Sequence, residues 1–137
     1  MPHELINPRS WKRPRGYANG VLAEPGRLLF VAGQIGWDET EELTSEDLPG
    51  QFQQALKNVV TVVREAGGTA EHICRLTIYV TNKKSYGKHI KEIGRAYRAE
   101  LGRHFPAMAL VEVAGLVEPG AKVEIAADAV IPVRGRS

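Results

Sequence analysis

The sequence predicts an α+β domain: a mixed β-sheet with two helices on one of its faces. Three observations carry that expectation. Short runs rich in β-branched and aromatic residues, bounded by glycine and proline turns, read as strands. Two longer stretches place apolar residues three and four positions apart, which is helical spacing. The runs follow the order strand, strand, helix, strand, helix, strand, strand. Right-handed crossovers then put both helices on the same side of the sheet.

Whole-chain properties limit the alternatives. At 137 residues the chain has the size of one domain, and 43% hydrophobic with 25% charged residues is ordinary for a globular protein. A net charge of +2 is too mild to argue for nucleic acid by itself. No apolar run approaches the roughly 20 residues needed to cross a bilayer. Residues 1–16 show no apolar core followed by a small-residue cleavage site, so a cytoplasmic protein is expected. Cys74, the one cysteine, excludes an intramolecular disulfide and any zinc site built on cysteine pairs. His3, His72, His89 and His104 show no ligand spacing, so a metal enzyme is not expected. Gly33-Gln34-Ile35-Gly36 lacks the third glycine and the following helix of a dinucleotide fingerprint.

In chain order, residues 1–16 hold three prolines and the cluster Arg9, Trp11, Lys12, Arg13, Arg15, and read as an extended basic arm. Such an arm is either a solvated leader or a grip on RNA. The domain proper spans 17–132, with a short tail at 133–137. Runs at 17–24 and 27–35 meet at Pro25-Gly26 and read as a hairpin. The second run is apolar on both faces. After a polar loop, Leu48, Phe52, Ala55, Leu56, Val59, Val60 and Val63 form one helical stripe. Thr44, Ser45 and Asp47 are candidate caps, Pro49 fits only the first turn, and Gly67-Gly68 stops the helix.

Residues 73–81 (ICRLTIYVT) are the third strand, with Cys74 as a small core thiol. A turn at 82–85 leads to a second helix with Tyr86, Ile90, Ile93, Tyr97 and Leu101 on its apolar face. Lys84, Lys88, Lys91, Arg95 and Arg98 lie opposite, as a solvated face or a phosphate stripe. Strands at 107–114 and 122–131 close the domain. In the first of them Met108, Leu110 and Glu112 share one face, and Ala109, Val111 and Val113 the other. In the second, Glu124 interrupts an otherwise apolar strand, and a carboxylate there is expensive to bury unless it is bound or opens on a cleft.

Apolar residues on both faces of several strands imply more surface than two helices can cover. Symmetric self-association would cover the rest, and a homo-oligomer is expected.

Gly16-Tyr17, Gly33-Gln34-Ile35, the segment from Gln54 to Asn58, Glu65-Ala66-Gly67, the run Thr77-Ile78-Tyr79-Val80, Phe105-Pro106-Ala107, Val111-Glu112-Val113 and Val123-Glu124-Ile125 recur in this order across about 16–132. In order and spacing the chain resembles the Rid/YjgF family of reactive-intermediate deaminases. The resemblance implies a chorismate-mutase-like fold and a homotrimer with three clefts between neighbouring subunits. It also implies hydrolysis of imines and enamines such as 2-aminoacrylate, without a cofactor. Glu124 matches the family's water-positioning glutamate, and Tyr17 a tyrosine lining the cleft. Met108 and Leu110 fall on the strand that lines it, with Gln34 and Trp37 as further lining candidates. Where family members carry a carboxylate-binding arginine after Pro-Ala, this chain has Met108. Guanidinium matches a carboxylate bidentately and methionine does not.

Three readings follow from the departure. The chain hydrolyses a different imine or enamine; or Arg13, Arg15 or Arg75 supplies the charge; or the deaminase role has lapsed and the cleft only binds a metabolite or the trimer surface is an interaction or RNA-binding platform, some family members being described as translation inhibitors or endoribonucleases. Each site residue also has a structural alternative, Glu124 as an interface carboxylate, Tyr17 as interface packing, Met108 and Leu110 as trimer core.

Overall fold

Helix α1 (Leu48–Glu65) buries the whole predicted stripe from Leu48 to Val63. Asp47 caps it, its carboxylate accepting the Gly50 N–H at 2.8 Å, with Pro49 in the first turn. Beyond the cap residue Ala66, Gly67 takes a φ of 94°, which favours glycine. In this computed structural model residues 3–133 are described; Met1 and Pro2 of the expected arm and residues 134–137 of the expected tail lie outside them. The Gly50 N–H, and then the Ser45 hydroxyl, hold the Asp47 carboxyl below its ordinary pKa of 3.8. Its cap is therefore complete at neutral pH and fades as pH falls below 3.8 through the folded value. Asp47→Ala is expected to cost about 0.5–1 kcal/mol at pH 7 by urea unfolding, and progressively less from pH 4 downward.

The main sheet has the order β3-β6-β4-β5. Its strands are β3 (Arg27–Gln34), β4 (Ile73–Val80), β5 (Ala107–Glu112) and β6 (Val123–Ile131). β4 and β5 run parallel, and β6 is antiparallel to both β3 and β4. α1 and the later helix α3 (Ile90–Leu101) cover one face, where Val31, Leu76, Ile78, Val80, Val123 and Ile125 form the core with Phe52 and Leu56. The other face carries Leu28 and Phe30, 68% and 72% exposed, together with Ala109 and Val111. The expected two-sided apolar strands are therefore present, and one side of β3 is bare.

Two expectations are corrected. β2 (Gly20–Ala23) does not form a hairpin with β3; it pairs with β1 (His3–Ile6) in a separate antiparallel ribbon, His3 opposite Ala23 and Ile6 opposite Gly20. The arm thus contains a strand, because its prolines at 8 and 14 lie beyond that strand and leave these four amides free to pair. His3 anchors the ribbon: Nε2 lies 3.0 Å from the Val130 carbonyl oxygen, and Nδ1 accepts the Glu24 N–H at 3.1 Å. The chain then leaves close against β6, where a Cβ on Gly26 would come within 2.5 Å of the Ile131 oxygen.

The second helix is not continuous either. α2 (Lys83–Lys88) and α3 meet at His89, where ψ rises to 20° and the ring Nδ1 lies 2.8 Å from the Ser85 carbonyl oxygen. Gly87, a weak helix former, precedes the break.

A buried glutamine ties the loops to this frame. Gln51 is fully buried; its amide donates to the carbonyls of Ser45 at 3.1 Å and Gly120 at 2.9 Å and accepts the Lys122 N–H at 2.8 Å. Gly36 passes so close that a Cβ there would lie 2.6 Å from the Gln51 Cα.

Candidate functional site

β5 is an edge strand, so its outer backbone groups are free for other chain. The segment before β2 uses them: the Ala18 N–H donates to the Pro106 carbonyl at 3.0 Å, and Ala18 bridges to Ala107. That docking sets Tyr17 beside β5. Alternation along β5 turns Met108 and Leu110 to the helix-covered side, where they pack partly against the core. Between this strand, the 15–17 segment and α3 lies a groove of about 590 Å3.

Its walls are aromatic. Tyr97 stacks on Phe105 with ring centroids 5.0 Å apart, and its hydroxyl donates to the His104 carbonyl at 2.7 Å. Burial pushes the phenols of Tyr97 and Tyr86 above their ordinary pKa, so both stay neutral and protonated at physiological pH. Phe52 and Ile78 reach the groove from α1 and β4, and Arg15 and Arg98 are the charged residues that line it.

The structure thus brings together Tyr17, Met108 and Leu110. It does not bring Glu124 or Gln34 to them within one chain. Glu124 stands opposite Tyr79 on β6, half-buried, and faces the side of the sheet away from the helices. Its carboxylate occupies a notch left by Gly33, where an added Cβ would come within 2.7 Å of the carboxylate carbon. Among the described residues that carboxylate accepts no side-chain or backbone hydrogen bond. Gln34 donates to the Ala32 carbonyl at 3.1 Å and lines a hollow with Trp37 and Asn58 at the end of β3.

The candidate substitute arginines separate in the same way. Arg75 is paired on the bare face, its guanidinium 2.6 Å from the Asp128 carboxylate, and does not line the groove. The reason is alternation: Arg75 is in register with Ala107, one residue short of Met108, and so points to the opposite side. Arg13 lines an adjoining hollow with Arg9, Trp11 and Arg103. Arg15 alone of the three lines the groove with Met108.

Tyr86 and Tyr97 were legible only as the apolar face of a helix, Phe105 only as part of the Phe105-Pro106-Ala107 segment, and Arg98 only as one member of a basic stripe. The signal available for Arg98 was Gly94, a glycine four residues earlier inside a helix. The stripe itself is divided, Lys84 and Lys88 on α2 and Lys91, Arg95 and Arg98 on α3, with no continuous helix to present it. Cys74 is half-buried, and burial pushes its thiol up, which makes it a poor nucleophile at neutral pH. No helix among the described residues is long and apolar enough to cross a membrane.

The sequence model of a family described as Endoribonuclease L-PSP matches residues 12–131. The chain is 32% identical over 114 residues to a 2-iminobutanoate/2-iminopropanoate deaminase of Salmonella typhimurium, covering 83% of this chain and 86% of that protein. It is 36% identical over 103 residues to a RutC family protein of Sinorhizobium fredii, covering 74% and 78%. Among solved structures it is similar to a Rid-family protein of unknown function, YyfB from Yersinia pestis. There the TM-score is 0.86 and the identity 32%, over 96% of this chain and all of the other.

Proposed function

Because the chain belongs to the Endoribonuclease L-PSP family, which includes the YjgF and Rid proteins, we propose that it hydrolyses a small imine or enamine in a cleft completed by a second copy of itself. The observation that carries this reading is the division of the matched residues. Glu124 sits in its Gly33 notch on a bare apolar sheet face, and Tyr17, Met108 and Leu110 sit in a groove on the other side. A copy covering the exposed Leu28 and Phe30 would bring one chain's carboxylate toward another chain's groove and exclude water around it. A homotrimer is the assembly proposed.

In the proposed reaction water adds across the C=N bond. Glu124 takes a proton from the attacking water as the C–O bond forms and passes it to the imine nitrogen, which gives a neutral carbinolamine. The carboxylate then takes the carbinolamine hydroxyl proton and passes it to the nitrogen as the C=O bond forms, the C–N bond breaks and ammonia leaves. The carboxylate is regenerated, so a single acid serves both steps. Tyr17, Met108 and Leu110 would shape the groove around the substrate body, and Gln34 would lie at the cleft margin.

Met108 makes three-carbon imino acids poor substrates in this account, since it offers no charge to a carboxylate beside it. Ammonia release from freshly generated 2-iminopropanoate is expected to be slow with the native protein and about 10- to 100-fold faster with Met108→Arg. Rapid native turnover, unimproved by the arginine, would remove Met108 as the determinant of substrate choice. Failure to release ammonia from any imine above the buffer rate would remove the hydrolase and leave a binding protein. Sedimentation of the same preparation tests the shared cleft, which a well-folded dilute monomer would rule out.

A further inference from the structure

The geometry points to Arg98, assisted by Arg15, as the anion-binding group of the Met108 groove, and to a carboxylate with an aromatic or branched body as its ligand. This deepens the preceding proposal and rests on its choice of the groove as the small-molecule site. The groove has an apolar lining broken by two charged side chains, Arg15 and Arg98. Both are exposed at its margin, so neither guanidinium has been stripped of water. Among the described residues the ion pair present is Arg75 with Asp128, and neither groove arginine has a carboxylate partner. Two unpaired cations beside an apolar concavity attract an amphipathic anion.

Arg98 is brought there by a specific local feature. Its guanidinium folds back along α3 over Gly94, where a Cβ would lie 3.3 Å from Nη1. Glycine inside a helix is less favourable than alanine. At Gly94 the absent side chain lets the guanidinium lie low against the helix, and Gly94 itself lines the groove. The positive charge that Met108 lacks on β5 is therefore offered from the opposite wall.

Size and wall chemistry select the body of the ligand. About 590 Å3 falls within the ~300–1,000 Å3 of pockets that enclose drug-sized molecules, well beyond a three-carbon acid. The stacked pair of Tyr97 and Phe105, with Tyr86 and Leu110, offers surface to a ring or a branched chain. A small acid could reach the arginines but would leave this surface wet.

Titration calorimetry with three probes separates the two contributions. Phenylpyruvate carries ring and carboxylate, pyruvate the carboxylate alone, and phenylacetone the ring alone. Phenylpyruvate is expected to bind the full-length protein at least tenfold more tightly than either of the others. Arg98→Gln should weaken phenylpyruvate by about 10- to 100-fold and leave phenylacetone unchanged, with a smaller effect from Arg15→Gln. Equal binding of pyruvate, an unchanged phenylpyruvate affinity in Arg98→Gln, or a parallel loss for phenylacetone would overturn the inference. Ammonia release from the imine of phenylpyruvate distinguishes the two proposals. Arginine-dependent binding supports this subsite even if neither this imine nor any other releases ammonia, the result that overturns the hydrolase. Ammonia release at native rate and affinity in Arg98→Gln overturns the subsite and leaves the hydrolase standing.

Discussion

Glu124→Gln is expected to lower kcat for imine hydrolysis by about 10²- to 10⁴-fold while leaving the folded protein and its assembly unchanged. Glutamine preserves the size of the side chain in the Gly33 notch but cannot take a proton from water at neutral pH. Because no hydrogen bond to this carboxylate is made among the described residues, the substitution orphans no donor in the chain, and thermal unfolding should shift little. Steady-state ammonia release and a melting curve on the same sample check both halves. A normal rate with a large loss of stability would make Glu124 a structural carboxylate, the alternative its position on an apolar strand also allows. Gly33→Ala offers an independent probe, since the added methyl group must displace the carboxylate from its notch. It should lose activity in parallel with Glu124→Gln.

Gln51→Leu is expected to destabilise the domain by about 3 kcal/mol or more, a large part of the 5–15 kcal/mol typical of a domain. The substitution removes three hydrogen bonds at once. It leaves the carbonyls of Ser45 and Gly120 and the N–H of Lys122 without the partner that the fully buried Gln51 supplies. Each group so abandoned costs about 1–3 kcal/mol if water does not reach it. Urea unfolding with an unchanged slope would measure the effect. A loss under 1 kcal/mol would show that the 43–46 and 120–122 loops relax into solvent and that the glutamine is not their clip. The site should feel the change indirectly, because Lys122 leads directly into β6 and hence to Glu124.

Much of the frame was legible from local pattern. The α1 stripe, the Asp47 cap, Pro49 in the first turn and the Gly67 stop all follow from neighbour-to-neighbour rules. The strands at 27–35, 73–81, 107–114 and 122–131 were found to within two residues at most ends, because alternation and turn residues mark them. Glu124 stood out for a similarly local reason, as a charge on an apolar strand. The β1–β2 ribbon escaped because the run at 17–24, read as a strand, finds its partner across residues 7–19 rather than in the next strand, and the short β1 does not announce itself. The break at His89 escaped because the apolar spacing continues through it. Gln51 sat unremarked inside the helix stripe, since its partners lie at positions 45, 120 and 122.

The order and type of the main strands and helices, the family to which the chain belongs, and the uncharged Met108 after Pro106-Ala107 were determined by the sequence itself, because each is written in residue types at short or fixed spacing. Tertiary structure alone decided that Met108 and Glu124 face opposite sides of one sheet, that Arg75 is taken by Asp128, and that Arg98 comes over Gly94 into the groove. Those outcomes depend on which strands become neighbours and which way each pleat turns, and strand neighbours are chosen by burial of the whole core rather than by any single segment.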